Sequence, residues 1–281
     1  MTQTNSESNK NTVPSSMTQA GIVTKYTLLD YIRSRRFYIM LAITLLISAL
    51  LTVLVAHYHP KTFLASDLTF YRSWWGTSVT FVVVLSGIFF GGDAISSEFQ
   101  NKTGYFGVPN PIRRSSIYVG KWVAAFIASL VILGIFTAIT VVNGFYYFPS
   151  GVPYQFGESL LFAIFYLVAV LGFTFFFSSI FKSSSMSILV TAILFLFAFT
   201  LIQDLISALV QIEPWFIITY GAQIIGNVLI SPYPQHQVLG TGPLAFTTYN
   251  ATIPEGLAIL GAYFIVTSII GLILFERKEF N

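Results

Sequence analysis

Six stretches of this chain, residues 37–56, 74–92, 122–145, 160–181, 186–203 and 256–275, carry no charged side chain and are apolar almost throughout. Each matches what a helix needs to cross a bilayer, since about 20 residues at 1.5 Å rise cover roughly 30 Å of hydrocarbon. Runs this long, without strict alternation, can pair their backbone groups inside lipid only as helix, because barrel strands are shorter and alternate. The sequence therefore predicts an all-α integral membrane protein with six transmembrane helices. Composition agrees: 9% of the 281 residues are charged, against roughly 25% in soluble domains. Residues 21–281 read as one membrane domain. Residues 1–20, rich in Ser, Thr, Asn and Gln, lack a signal peptide's apolar core and read as a disordered cytoplasmic tail.

The cations fix an orientation. With the N-terminus in the cytoplasm, Lys10, Lys25, Arg33, Arg35, Arg36, Lys102, Arg113, Arg114, Lys121, Lys182, Arg277 and Lys278 lie inside, and only Lys61 and Arg72 lie outside. Twelve against two is the distribution that positive charge imposes on membrane topology, and it predicts both termini inside. The net charge of +3 is thus spread along span ends, which does not describe a nucleic-acid surface. Residues 215–230, apolar but bounded by Pro214 and Pro232, are short for a crossing. A seventh span would also put Arg277 and Lys278 outside. A re-entrant or surface-lying element between the fifth and sixth spans fits the charges better.

Two inside elements stand out. Ile22, Tyr26, Leu29 and Ile32 recur at helical spacing opposite Thr24, Thr27, Tyr31 and Ser34, which predicts an amphipathic helix along the membrane face. After the second span, the stretch 91–104 reads as a short helix. Asp93 or Ser96 would cap it, Ile95 and Phe99 share a face, Glu98 can pair with Lys102, and Gly104 stops it. An exposed Phe99 flanked by Glu98 and Lys102 would be an apolar anchor in a charged rim.

The order Ile95, Glu98, Lys102-Thr103-Gly104, Pro111-Ile-Arg113-Arg114, Ile117, Gly120-Lys121, set between the second and third of six spans, resembles the ABC-2 family, the permease subunits of ATP-binding-cassette exporters. The Thr103-Gly104 pair stands in reverse order, and Gly107-Val-Pro replaces a leucine-rich stretch. The resemblance implies that the loop from 93 to 121 holds a coupling helix that docks on a separate ATPase subunit, with Ile95, Glu98, Phe99, Lys102, Thr103 and Gly104 at the contact. Pro111, Arg113, Arg114, Gly120 and Lys121 would form the turn and return, beside the amphipathic helix. It further implies a second permease copy, identical or not, in a membrane-embedded dimer.

No Gly-x-x-x-x-Gly-Lys-Ser/Thr loop occurs, so ATP and Mg²⁺ are expected in the partner ATPase and no cofactor in this chain. Cysteine is absent, and His57 and His59 make only two potential ligands, so neither a catalytic nor a metal site is predicted. The spans lack the buried charges of a proton-driven carrier. Phe173, Phe175, Phe176 and Phe177 suggest an apolar or amphipathic cargo, although ordinary packing explains such rings equally well. The reading is the permease subunit of an ABC exporter. An ATP-independent secondary transporter and a non-transporting scaffold or immunity-like protein are the alternatives.

Overall fold

The computed structural model describes residues 14–61, 63–101, 113–149, 151–239 and 246–278. Among these, six helices are long and apolar enough to cross a membrane: Arg35–Tyr58, Asp67–Gln100, Arg114–Tyr147, Tyr154–Ile180, Ser184–Val210 and Ile253–Arg277. Each overlaps one predicted run and, except for the fourth, which ends at Ile180, overshoots it at both ends, because a helix continues through polar flanks until a cap stops it. The first span starts where Ser34 accepts from Phe37 N (3.4 Å). The sixth opens on a capping box between Thr252 and Glu255 with a proline in the first turn. A further helix, Ser16–Arg33, precedes the spans. It begins inside the stretch expected to be a disordered tail, because Ser15 accepts from Thr18 N at 3.3 Å and nucleates it early.

The second span is the centre of the bundle: 72% of its most apolar stretch is buried, against 17% for the fifth span. It is also irregular. A π-helical turn, Arg72–Gly76, separates Asp67–Tyr71 from Thr77–Gly91, and a tight turn then leads to Ser96–Gln100. Close approach to the fourth span depends on absent side chains. A Cβ on Gly87 would stand 2.5 Å from Val170 Cγ1, and one on Gly91 would overlap Thr174 Oγ1. Small residues at such a crossing replace the hydrophobic driving force that lipid removes. The fifth span instead presents Leu189, Phe197, Leu201 and Leu209 outward. That is the arrangement expected where hydrocarbon is the solvent.

Residues 215–230 form no span. They fold as two single-turn helices, Ile218–Gly221 and Ile224–Asn227, with Ile218, Tyr220, Ile224 and Ile225 buried. Ser159 of the fourth span anchors them, accepting from Trp75 Nε1 (2.8 Å) and donating to Ile225 O (2.6 Å). Beyond them a two-stranded antiparallel sheet pairs Gln237–Leu239 with Phe246–Thr248. Three-residue strands carry too little alternation to be read from sequence. Ser116 Oγ donates to Ser16 O at 3.1 Å and Arg114 to Lys278 O at 2.8 Å, so both ends of the described chain meet at one end of the bundle.

Candidate functional site

The end where the termini meet is also where the loop after the second span is held. Ser96–Gln100 is a helix of five residues, too short to persist by itself, and its stability comes from neighbours. Neither Asp93 nor Ser96 caps it. Ile95 N and Ser96 N both donate to Ser178 Oγ of the fourth span, at 2.9 and 3.0 Å. A cap supplied by another helix docks the N-terminus as well as satisfying it, at roughly 1 kcal/mol per bond. At the other end Gln100 Oε1 accepts from Ser184 N (2.7 Å), the first residue of the fifth span. Ser187 Oγ of that span donates to Gly92 O. The helix stops at Asn101, ahead of the predicted Gly104, which lies outside the described residues together with Lys102, Thr103 and Pro111.

Charge pairing reaches further than the sequence reading, whose Glu98–Lys102 pair falls on a residue outside those described. Glu98 forms an ion pair with Lys121 of the third span, and Lys121 Nζ also donates to Ala94 O at 2.8 Å. Asp93 is turned away from the helix it was expected to cap and meets Arg36 Nη1 at 2.6 Å, its own side chain 6% exposed. A carboxylate so enclosed needs that cation, because desolvation without a partner costs several kcal/mol. Next to it, Tyr31 donates to Phe90 O at 2.6 Å. Burial first, and the Asp93 charge second, push the Tyr31 pKa up, so the hydroxyl stays a donor.

Phe99 is not the exposed anchor the sequence suggested. It packs edge-on against Phe275 of the sixth span (6.1 Å between centroids), and the Lys278 ammonium sits 4.4 Å from its ring centroid. Ile95, on the same face, is fully buried. The face predicted to dock outward is the one that grips the bundle. Lys278 Nζ donates to Ser179 O, Ile180 O and Phe181 O at 2.9, 3.0 and 3.0 Å, a cation on the carbonyl end of the fourth span. Burial and the neighbouring Lys182 lower the Lys278 pKa to about 8. Arg114 does the same for the sixth span, donating to Glu276 O (2.9 Å) and Lys278 O (2.8 Å).

The helix Ser16–Arg33 lies across the start of the third span with its polar face inward. Thr24 Oγ1 donates to Gly120 O (3.0 Å), Gln19 Oε1 accepts from Arg113 N (3.0 Å), and Tyr31 is buried. Gly120 makes this crossing possible, since a Cβ there would stand 2.7 Å from Ala20 O. Ile22, Tyr26, Leu29 and Ile32 are exposed on the opposite face, an inversion of what water would select. Between this helix and the loop helix lies a cleft of about 480 Å³ bordered by Tyr26, Asp30, Arg36, Asp93, Glu98 and Lys121.

Residues 21–280 match the family model described as ABC-2 family transporter protein. The chain belongs to that family. No curated protein matches it. As an ABC-2 protein with six apolar helices, it is a multi-pass integral membrane protein and a permease component. The structure of this ABC-2 permease brings Ile95, Glu98, Phe99, Arg114, Gly120 and Lys121 to one end of the bundle, with the helix of Ile22, Tyr26, Leu29 and Ile32 beside them. Arg36, Asp93, Ser178 and Lys278 join them there. Sequence reasoning missed the roles of these four, Asp93 being expected only as a helix cap, because their partners lie 57 or more positions away.

Proposed function

We propose that this ABC-2 permease exports its cargo under the drive of a separate ATPase subunit that docks at the end of the bundle carrying the loop helix. The twelve-to-two bias of cations supports a cytoplasmic position for that end. Residues 21–281 act as one transmembrane domain with both termini inside, and residues 215–230 re-enter the membrane from outside. Ile22, Tyr26, Leu29 and Ile32 meet the lipid interface. A second permease copy completes the path, and ATP with Mg²⁺ belongs to the ATPase.

The observation that carries this reading is how the five residues Ser96–Gln100 are tied down. Side chains link them to the third span through Lys121, the fourth through Ser178, the fifth through Ser184 and the sixth through Phe275. A push on this helix is therefore delivered to four spans at once, as rigid-body rocking between two packings requires. Its inward face transmits the load, which leaves the cleft bordered by Asp30, Asp93 and Glu98 for the ATPase.

Gentle purification followed by mass spectrometry tests the partner: a stoichiometric ATPase with a phosphate-binding loop is expected, and transport in liposomes by the isolated chain without nucleotide would refute the proposal. Topology has its own test because the chain contains no cysteine. In intact cells an impermeant thiol reagent should modify Gln235→Cys and spare Asn101→Cys. The opposite pattern reverses the orientation.

A further inference from the structure

The opposite end of the bundle holds a cavity that the coupling scheme does not use. Two π-helical turns, Arg72–Gly76 of the second span and Leu194–Ala198 of the fifth, both line it, and it encloses about 690 Å³. π-Turns interrupt the regular hydrogen-bond ladder and collect at functional sites, and this volume lies within the range of small-molecule pockets. Two such interruptions on one cavity wall are a costly way to build a passive gap.

The wall has two chemistries. Thr80, Gln203 and Asn227 are polar, whereas Phe81 and Phe197 are apolar and 45% and 62% exposed, continuing the wall outward toward lipid. Arg72 is the only charged side chain among the described residues lining it. The three ion pairs among the described residues involve other side chains, and no hydrogen bond of the Arg72 guanidinium occurs there. Arg72 is exposed at the start of the second span's apolar run, so its guanidinium is free to meet a ligand at the cavity mouth. The distribution that gathers twelve of fourteen cations at the other end gives no reason for this one.

The amides point the same way. Gln203 Oε1 already accepts from Thr219 Oγ1 at 2.8 Å, which leaves its N–H groups to donate. Asn227 Nδ2 is buried with no acceptor at full hydrogen-bond geometry among the described residues. The Asn227 amide lies beside the Tyr233 hydroxyl and acts on it as a weak hydrogen-bond donor, lowering its pKa against the larger upward push of burial, while that hydroxyl donates to Ala251 O (2.5 Å). One guanidinium with several neutral donors suits a phosphate or carboxylate.

We infer that this cavity binds an amphipathic anion, its head group held by Arg72 with Gln203 and Asn227, and its hydrocarbon lying along Phe81 and Phe197. Binding requires neither nucleotide nor partner subunit, so its failure and the failure of the coupling scheme are separate results.

Native mass spectrometry of the full chain in dodecyl maltoside, titrated with dodecyl phosphate, tests it. The expected result is one saturable adduct per chain. Arg72→Gln should weaken it about tenfold or more, as loss of a charge-assisted bond implies, and Arg72→Lys should stay within a few-fold. Thermal unfolding verifies that both variants are folded. Should Arg72→Gln not fold, wild type must still prefer dodecyl phosphate to dodecyltrimethylammonium. Equal affinity for the two amphipaths, equal affinity in wild type and Arg72→Gln, or equally tight binding of inorganic phosphate each overturns the inference. Lipid extracted from purified protein separates the sources of the anion. An anionic phospholipid retained by wild type and lost from Arg72→Gln identifies a resident lipid, whereas empty wild type that takes up dodecyl phosphate identifies a transient ligand.

Discussion

Replacing Lys121 with Met removes the ammonium that holds the loop helix to the third span while keeping most of the stem. In the native structure that ammonium serves both Glu98 and Ala94 O, and the two charged side chains are only 13% and 24% exposed. A hydrogen bond to a charged group contributes about 1.5–3 kcal/mol. Discounting for the part of Glu98 that still reaches water, local opening of the loop helix should become easier by about 2 kcal/mol, or about thirtyfold. Ser96→Cys reports this opening well. Ser96 is fully buried, cysteine is close in size, and no other thiol competes. When opening and closing are fast, the maleimide labelling rate follows the open fraction. The rate for Ser96→Cys should therefore rise about thirtyfold when Lys121→Met is added, and much less with Lys121→Arg. An unchanged rate, or a Glu98→Gln effect fully additive with Lys121→Met, would refute the idea that this pair secures the helix.

Other expected outcomes follow from single contacts. Arg36→Met strands the enclosed Asp93 carboxylate and should cost roughly 1–3 kcal/mol in thermal unfolding; adding Asp93→Leu should recover much of that, and a double variant worse than the single would contradict the pairing. Gly120→Leu must displace the helix Ser16–Arg33, at about 1–3 kcal/mol, and spin-label distances between that helix and the third span should lengthen. Because burial and Lys182 depress the Lys278 pKa, the unfolded chain binds more protons between about pH 8 and the ordinary lysine value, so this group lends stability as pH rises through that window. The Tm difference between wild type and Lys278→Gln should accordingly move in favour of wild type from pH 7.5 to 10; a constant difference would contradict the depressed pKa.

The spans were legible because length and apolarity are local quantities: six runs without charge became six helices, and only their ends moved. The amphipathic pattern was legible too, down to which residues face outward. The loop helix was placed correctly but read inside out. Spacing shows that Ile95 and Phe99 share a face, yet says nothing about whether Phe275 and Lys278 wait opposite that face. Glu98 illustrates the same limit. Its nearest candidate partner in sequence, Lys102, lies outside the described residues, and spacing gave no sign of the ion pair with Lys121, 23 positions on.

Taken alone, the sequence determined a bilayer as the solvent and six segments long and apolar enough to cross it, because both are set by transfer free energies that add along a contiguous segment. The tertiary structure decided what a segment cannot encode: that Ser178 caps a helix 82 positions away, that Asp93 answers to Arg36, and that two π-turns open onto one cavity around Arg72. Hydrogen bonds and ion pairs act over a few ångströms. Their partners exist only once the helices have packed.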